Sequence, residues 1–500
     1  MANFYKCPNI NNCNKSIKDK IISIFIGMLG SLRERRKSPI SERKQPNGKN
    51  APILVCIFFI SLLIGAKAPP VAAETLLRIH GSNTIGRTLL PALVKVFLKQ
   101  EGYDNINEKK GDNEDESFII GERNSQNDQI EIHAHGSKTA FIDIGNSLCD
   151  IGSSSRPINN DEQKSLLPKL GDLRSNDSEH VIALDGIALI VPKSNPVKTL
   201  SVTQIADIFS GTITEWSRLG APLGTIALYA RDDKSGTYEF FRDAVLNTHG
   251  KTLSTNAQRF EDSEKLTDVV SRDPLGIGFV GLNYIGSNNV IAISDTGVKA
   301  RLPSIRSIKT EDYLLSRRLY LYTAVNPLNP NIRKFIEFVS GCVAQGVIAT
   351  TDFVNQDLTP VPSNPDDARN QSATWQSLTK DAKQIPATIR FLPGSDALDT
   401  KANKDIVRIA EVLSQPEYHN KKVILIGFAD SSGSQSTSLK ISKDRAKIVK
   451  WKLVEFQRNH VALQGLDLSQ VEGLGAEAFV ATNETQEGRE KNRRVEIWVK

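Results

Sequence analysis

Residues 230–241 combine an arginine, a Ser-Gly-Thr and the beginning of a helical pattern. An apolar run ending at Ala230 predicts a short buried strand, and Ser235-Gly236-Thr237 then opens a helix. Unpaired N–H groups and the helix dipole make such a start favourable for an anion. Arg231 adds a forked pair of charged donors that suits a tetrahedral oxyanion. The competing interpretation is that Ser235 only caps the helix and Arg231 makes a surface ion pair.

Two earlier stretches have the same character. Residues 79–86 pass from a strand-like run through Gly81-Ser82-Asn83-Thr84 into a second helical pattern. Residues 149–158 hold an Asp-Ile-Gly-Ser-Ser-Ser-Arg-Pro turn, and His135-Gly136-Ser137 adds another hydroxyl. The sequence therefore predicts an anion site built from Thr84, Ile85, Ser137, Asp150, Arg231, Ser235, Gly236 and Thr237.

From Leu76 onward, apolar strand runs alternate with helical runs, which is typical of an α/β architecture. With residues 208–216 and 273–281, the three stretches resemble the phosphate-binding proteins of bacterial ABC transporters. This resemblance implies a two-lobed periplasmic-binding-protein fold for residues 74–354, with residues 76–182 and 286–350 in one lobe and residues 183–285 in the other. It also implies inorganic phosphate in the cleft, lobes that close on it, and an ABC permease as a possible partner.

Asp150 is the informative member of the predicted site. A carboxylate beside a bound anion repels it unless the anion can donate a proton. Phosphate at neutral pH carries such a proton and sulfate does not, so an acidic acceptor rejects sulfate. The resembled family uses an aspartate in this way, and Asp150 is predicted to select phosphate here.

The length of the chain limits the number of domains, and its charge limits the kinds of partner. By a prior of about 150 residues per domain, 500 residues allow two to four domains. The net charge of +6 comes from residues 1–73, where twelve Lys and Arg face three Asp and Glu. The rest of the chain is slightly acidic, so a nucleic-acid partner has little support.

The leader, residues 1–73, has the order of a secretory signal. A basic segment precedes the apolar residues 51–66, and Val71-Ala72-Ala73 follows them. This predicts export to the periplasm with cleavage after Ala73. The alternative is an uncleaved anchor helix in the inner membrane, for which a run of sixteen residues, apolar apart from Ser61, is short.

Cysteines and histidines give weaker signals. Cys149 and Cys342 either pair or remain free thiols, and the sequence leaves this open. His133 and His135 alternate on a predicted strand, a pattern more typical of a solvated strand face than of a metal site. No metal or cofactor is predicted.

Two polar stretches interrupt the pattern. Residues 102–127 are acidic and poor in apolar side chains, which predicts a surface insertion or mobile loop. Residues 355–384 are rich in Pro, Asn, Asp, Gln and Ser and predict a partly extended linker.

Residues 385–500 predict a smaller α+β unit with the order β-α-β-α-β-β. Its phrases Gly427-Phe428-Ala429-Asp430 and Ser442-x-x-Arg445-Ala446, with residues 483–496, resemble the peptidoglycan-binding domain of the OmpA family. The resemblance assigns Asp430 to the ammonium and Arg445 to the carboxylate of diaminopimelate. The competing interpretation is an internal salt bridge between these two residues. Arg493 and Arg494 are predicted to be structural, one inward and one outward on the closing strand.

No catalytic constellation appears in the sequence, so a binding protein and not an enzyme is predicted. The prediction is a periplasmic phosphate-binding protein held non-covalently to the cell wall, serving phosphate capture or transport. The alternatives are a wall-bound sensor or scaffold, or a phosphatase, whose anion site serves another ligand.

Overall fold

The computed structural model describes residues 73–222, 224–233, 235–363, 372–392 and 395–500. The predicted signal segment, residues 51–66, lies outside these ranges. Within them, no helix combines the length and the apolar character needed to cross a membrane.

The first unit, residues 73–358, mixes strands and helices along its whole length. In chain order its strands are β1 (Glu74–Gly81), β2 (Asp104–Lys110), β3 (Glu116–Arg123), β4 (Gln126–His133), β5 (Ile151–Ser154), β6 (Glu179–Val191), β7 (Thr199–Ser201), β8 (Ala227–Arg231), β9 (Gln258–Phe260), β10 (Gly276–Gly281), β11 (Asn289–Val290), β12 (Ala292–Asp295), β13 (Val298–Arg301) and β14 (Ser316–Tyr322). Its α-helices are α1 (Leu90–Gln100), α2 (Ser137–Gly145), α3 (Asn160–Leu170), α4 (Val202–Phe209), α5 (Gly236–Phe241), α6 (Ser263–Arg272), α7 (Ile305–Lys309), α8 (Pro330–Ser340) and α9 (Cys342–Ile348). A π-helical turn leads into α1 (Ile85–Leu89) and another follows α5 (Arg242–Leu246).

A single sheet runs through both lobes in the order β2-β3-β4-β1-β5-β14-β6-β10-β8-β9, with β11 beside β6 and a separate β13-β12-β7 sheet. Strand β6 is buried along nearly all its length and crosses between the lobes, as a continuous apolar run predicts. The core of the first lobe reaches Ala183, and the core of the second begins at Leu184. The two-lobed α/β fold is confirmed.

The return crossing lies later in the chain than predicted. Ile291, Ile293 and Leu315 pack in the core of the second lobe, and the first lobe resumes in β14 at Leu319. The placement of residues 286–315 in the first lobe is therefore wrong. The cause is the small β13-β12-β7 sheet, which keeps these residues beside α4.

Residues 102–127 are not a loop. They form β2, β3 and the beginning of β4, joined as antiparallel neighbours at the edge of the sheet. Strand β3, between β2 and β4, alternates half-buried and buried positions, the period expected for a strand with one covered face. Two of the acidic residues that suggested a loop pair with cations on the adjacent helical turns, Glu108 with Lys95 and Asp115 with Arg87.

The two cysteines of the described residues do not form a disulfide. Cys149 is buried just before β5, and Cys342 opens α9. Burial raises the pKa of the Cys149 thiol to about 12, so this group remains protonated at neutral pH.

The second unit has the predicted strand and helix order with one short strand, β15, and two short helices, α10 and α13, added. Its strands are β15 (Val361–Pro362), β16 (Lys383–Arg390), β17 (Lys422–Gly427), β18 (Asp467–Gly473) and β19 (Arg494–Val499), arranged as β15-β16-β19-β17-β18. Its α-helices are α10 (Ala373–Thr379), α11 (Thr400–Leu413), α12 (Gln435–Asn459) and α13 (Gln486–Asn492).

Strand β15 and helix α10, both within the predicted linker, pack against this second unit. Trp375 of α10 is 2% exposed, stacks edge-on against Trp498, and donates its indole N–H to Glu496 at 3.0 Å. Strand β15 pairs with β16. The boundary at residue 384 is therefore wrong, because a buried tryptophan fixes the preceding helix to the sheet.

Buried charges join the two units. Glu311 of the first unit is 3.6 Å from both Arg390 and Lys401 of the second. It also accepts a hydrogen bond from Arg318 at 2.9 Å, and Arg318 in turn reaches Asp399. Such a network holds the units in one orientation, since each buried charge needs its partners.

Candidate functional site

Three loops meet at one edge of the first lobe because β4, β1 and β5 are parallel neighbours. Parallel strands bring the loops that follow their carboxyl ends together, where ligands of α/β proteins bind. The N–H of Ser82 donates to Ser153 at 2.8 Å, and the N–H of Gly136 donates to Gly81 at 2.7 Å. Gly136 has φ of 105°, a conformation that favours glycine. These bonds fix the starts of two helices side by side.

Hydroxyl groups line this edge. The Oγ atoms of Ser137 and Ser155 are 3.0 Å apart, and the N–H of Ser155 donates to Ser137 Oγ at 3.0 Å. Ser82 is fully buried, and its Oγ has no hydrogen-bond partner in the described chain. Because a buried hydroxyl without a partner is costly, Ser82 is a donor available to a ligand.

The helix start of the second lobe touches that of the first. Ser235 caps α5 by accepting the N–H of Tyr238 at 3.4 Å, and Gly236 follows it. A Cβ built on Gly236 would lie 1.9 Å from Thr84 Oγ1 and 2.7 Å from Thr84 Cα. The two lobes are thus in contact where both helices begin, and glycine is required because no side chain fits.

A buried ion pair lies at this contact. Arg317 of β14 donates from Nη2 to Thr84 Oγ1 at 3.0 Å and to the Gly236 carbonyl at 2.9 Å. The same guanidinium donates to Asp185 of β6 from Nε at 3.0 Å and from Nη2 at 2.9 Å. Both side chains are less than a tenth exposed, and the guanidinium lies over the ring of Phe240. The crossing strands therefore bring one positive and one negative charge to the junction of the lobes.

The structure corrects the role predicted for Asp150. Its carboxylate accepts hydrogen bonds from the backbone N–H and the guanidinium of Arg78. It lies at the amino end of β5, whereas Ser155 follows the carboxyl end. Five extended residues span roughly 16 Å, so Asp150 is too far from the Ser137–Ser155 pair to contact the same small anion.

Arg231 is also directed elsewhere. Its guanidinium donates to the carbonyls of Phe260 and Glu261 and to the hydroxyl of Ser263. Arg317, and not Arg231, brings the positive charge to Thr84 and Gly236 in this structure.

The remaining predicted residues divide into two groups. Thr84, Ser137, Ser235 and Gly236 lie at the three helix starts described above. The side chain of Ile85 packs in the core of the first lobe, which leaves only its backbone for a ligand. Thr237 is half-buried in the first turn of α5.

Four residues of this site were not predicted from the sequence: Ser82, Ser155, Asp185 and Arg317. Ser82 and Ser155 stand inside the quoted motifs, and counting residues from the ends of the strands would have favoured them over Asp150. The signal for Arg317 was a pair of adjacent arginines opening an apolar strand, since one of two neighbours on a strand must face each side.

A second polar cluster lies in the C-terminal unit, where β17 leads into α12. Asp430 forms an ion pair with Arg493 at 2.8 Å, and its carboxylate accepts a hydrogen bond from the N–H of Ser432 at 2.9 Å. Burial opposes ionisation of Asp430, but these contacts lower its pKa below the usual value. An ion pair between Asp430 and Arg445, the competing interpretation of the sequence, is not found among the described residues.

Arg445 is buried without a full set of partners. Its Nη1 donates to the Phe428 carbonyl at 3.5 Å, and its Nε has no hydrogen-bond partner in the described chain. Burial is the main influence lowering its pKa, and Arg493 adds to it. Arg493 was predicted to be only structural; its contact with Asp430 makes it part of this cluster. Arg494 is fully buried and stacks on Phe428.

Family models match both units. A model described as a PBP superfamily domain matches residues 118–341, and a model of the OmpA family matches residues 390–493. The chain joins a PBP superfamily domain to an OmpA family domain. Asp185, Gly236 and Arg317 lie within the residues matched by the PBP superfamily model, and Thr84 precedes them. The Asp430–Arg493–Arg445 cluster lies within the residues matched by the OmpA family model.

Two curated relatives resemble the PBP superfamily domain. Protein SphX of Synechococcus elongatus is 29% identical over 229 residues, covering 43% of this chain and 66% of the relative. The phosphate-binding protein PstS of Staphylococcus saprophyticus is 31% identical over 199 residues, covering 38% of this chain and 60% of the relative. The chain thus spans less than two thirds of the length of either relative.

Among solved structures, an ABC-type phosphate transport receptor from Vibrio cholerae is 20% identical to this chain. The match covers 56% of this chain and 99% of that receptor, with a TM-score of 0.43.

Proposed function

We propose that the PBP superfamily domain binds inorganic phosphate between its lobes, and that the OmpA family domain holds the protein to peptidoglycan in the periplasm. The observation that carries the first part is the contact between Thr84 and Gly236 at two helix starts. The guanidinium of Arg317 donates to Thr84 at this contact, and the hydroxyl of Ser82, two residues before Thr84, has no hydrogen-bond partner in the described chain. The Staphylococcus relative is named a phosphate-binding protein, which supports the choice of anion.

The donor set suits a phosphate ion. A dianion is costly to remove from water unless protein donors replace the water molecules. Helix starts supply N–H groups and a favourable dipole, and serine and threonine supply hydroxyls at fixed positions. A parting of Thr84 from Gly236 by a few ångströms would open room for the ion, and binding would draw the lobes together again.

Selectivity for phosphate then requires a carboxylate near this junction. Asp185 takes the role that the sequence assigned to Asp150, because its partner Arg317 contacts both helix starts. An ionised Asp185 would accept the proton of hydrogen phosphate and repel sulfate.

Attachment to the wall is proposed from the chemistry of the Asp430 and Arg445 cluster. Diaminopimelate offers an ammonium and a carboxylate, which match an aspartate and an arginine at fixed spacing. A ligand carboxylate would supply the partner that Arg445 lacks within the described chain. Asp430 would exchange part of its contact with Arg493 for the ammonium.

We further propose that the protein captures phosphate for transport, with an ABC permease as the partner that receives the ion. A wall-bound sensor or scaffold and a phosphatase are the competing functions. Release of nitrophenol from nitrophenyl phosphate by the purified protein would identify a phosphatase.

Calorimetric titration of the full-length protein with phosphate and with sulfate tests the binding proposal. We expect one phosphate site of micromolar or tighter affinity and at least tenfold weaker sulfate binding, a discrimination of about 1.4 kcal/mol or more. Absence of heat with phosphate would overturn the proposal, and equal heats with both anions would remove its selectivity.

Sedimentation with purified peptidoglycan tests the attachment. We expect the wild type to pellet with the wall material and the variants Asp430→Ala and Arg445→Ala to remain in solution. Glu455→Ala, an exposed change on α12, is the matched control and should pellet like the wild type. Equal retention of all four proteins would contradict the assignment.

A further inference from the structure

Three imidazole rings lie in a row across β1 and β4. The parallel register sets His80 directly opposite His133. Their rings stack with centroids 4.1 Å apart, and His135 stacks on His133 at 5.4 Å. The sequence predicted a solvated strand face for His133 and His135. His135 is exposed and His133 is partly exposed, as predicted, and the row begins with the buried His80, whose side chain is 6% exposed.

Carboxylates complete the row. Glu131 Oε1 lies 3.0 Å from His80 Nε2 and 3.1 Å from His133 Nε2. One ligand atom from each of these three residues lies within 4.8 Å of the other two. Glu116, His133 and His135 form a second such group that shares His133. Two imidazole nitrogens and a carboxylate oxygen form a donor set typical of divalent transition metals.

The orientation of His80 is set by a further carboxylate. Asp143 of α2 accepts the Nδ1–H of His80, with 2.8 Å between the two atoms. With Nδ1 engaged by Asp143, Nε2 is the ring nitrogen that faces Glu131, and it can bind a cation in exchange for its proton. The arrangement of carboxylate, histidine and ligand atom is the one that metal sites use to orient an imidazole.

The cluster is accessible from one side. The side chains of Glu131 and His133 are each about a fifth exposed, whereas His80 is buried. An ion could therefore enter from the side of His133 and keep a water molecule in its fourth position. Three protein ligands and one open position are the arrangement of an accessible zinc site.

We propose that His80, Glu131 and His133 form a binding site for a zinc ion, with Glu116 and His135 as neighbouring ligands. The ion would tie β1 to β4 at the carboxyl ends of both strands. Thr84 follows His80 by four residues, and Ser137 follows His133 by four residues. Bound zinc would thus stiffen the first lobe where the two helix starts begin.

Zinc titration of the chelator-treated full-length protein, followed by calorimetry and by thermal unfolding, tests this site. We expect one zinc ion per chain and a rise in melting temperature on addition of zinc chloride alone. His133→Ala and Glu131→Gln should each weaken zinc binding by more than about tenfold and abolish the rise.

His419→Ala, an exposed histidine on the C-terminal unit, is the control and should bind zinc like the wild type. Circular dichroism of each variant checks its folding, and Glu131→Gln, which keeps the side-chain volume, replaces His133→Ala if the latter unfolds. Zinc binding of equal strength in the wild type and Glu131→Gln, or no binding to the wild type, would overturn the proposal.

Discussion

The Oγ1 atom of Thr84 occupies the space that a side chain at position 236 would need, 1.9 Å from a Cβ built on Gly236. This contact joins two helix starts that are 152 positions apart in the chain and belong to different lobes. The predictions about anion binding follow from this contact between the lobes.

Gly236→Ala should hold the lobes apart at this point. The added methyl group cannot fit beside Thr84, so closure on the ion is impaired, and we expect phosphate affinity to fall by roughly tenfold or more. Gly224→Ala is the matched control, because its nearest neighbour outside the adjacent residues lies 4.0 Å from the added Cβ. Calorimetry that finds equal affinities for both variants would contradict the role of the contact.

The sequence predicts that Arg231 binds the anion, whereas the structure favours Arg317. Arg317 contacts Thr84 and Gly236, whereas Arg231 is bonded to the loop before α6. We therefore expect Arg317→Gln to weaken phosphate binding by at least tenfold, about 1.4 kcal/mol, and Arg231→Gln to have a smaller effect. A larger loss of phosphate affinity in Arg231→Gln than in Arg317→Gln would show that Arg231, and not Arg317, supplies the positive charge for the anion.

Asp185 and Asp150 can be compared in the same way. Replacing Asp185 by Asn removes the negative charge beside Arg317 and provides an amide donor, so sulfate should then compete with phosphate. Asp150→Asn should leave the preference for phosphate unchanged. A competition titration measures both, and unfolding curves of the Asp185 variant record the cost of breaking its buried ion pair.

Glu311 should stabilise the joined units. Its replacement by Gln leaves Arg318, Arg390 and Lys401 without their shared buried anion, so we expect the free energy of unfolding to fall by about 3 kcal/mol. Glu455→Gln, at an exposed position of α12, should change it by less than about 0.5 kcal/mol. Equal denaturant midpoints for the two variants would show that the interface does not depend on this charge.

His180 should make the joined units sensitive to acid. Burial first, and the adjacent Lys404 second, lower the pKa of His180 from 6.5 to about 3. Lys404 donates to His180 Nδ1, with 3.0 Å between the atoms, so the folded chain keeps this ring neutral. Between pH 6.5 and pH 3 the unfolded chain binds a proton that the folded chain excludes, and stability therefore falls as pH falls.

For His180 this loss amounts to about 2 kcal/mol between pH 7 and pH 5. The variant His180→Gln keeps a hydrogen-bond acceptor but does not titrate in this range. Urea unfolding of both proteins at the two pH values should show a drop that is smaller by this amount in the variant. Parallel pH profiles would contradict the prediction.

Local patterns predicted the helix starts well, and long-range contacts limited the rest. Ser235, Gly236 and Thr84 were found because hydroxyl and glycine residues stood where a strand run changed to a helical run. The sequence predicted Asp150 and not Ser155 because a carboxylate can recognise a protonated anion, whereas the distance of each residue from the anion depends on where β5 begins and ends. A shift of five residues along a strand moves a side chain from one end of the sheet to the other.

The residues that the sequence did not reveal are placed by pairings between distant strands. Arg317 reaches Thr84 through the β14–β6 crossing, and His80 meets His133 through the parallel register of β1 and β4. Neither pairing has a local signature. A long-range contact also explains the difference in the linker. Its polar composition predicted an extended segment, but one buried tryptophan, Trp375, packs part of it against the second unit.

The most direct test of the anion site is a crystal structure of the full-length protein grown with arsenate, whose anomalous scattering marks the position of a phosphate-like ion. We expect a single tetrahedral anion between Thr84 and Gly236, within hydrogen-bonding distance of Ser82 or Ser137 and of Arg317. An anion bound elsewhere, with Thr84 still against Gly236, would contradict it.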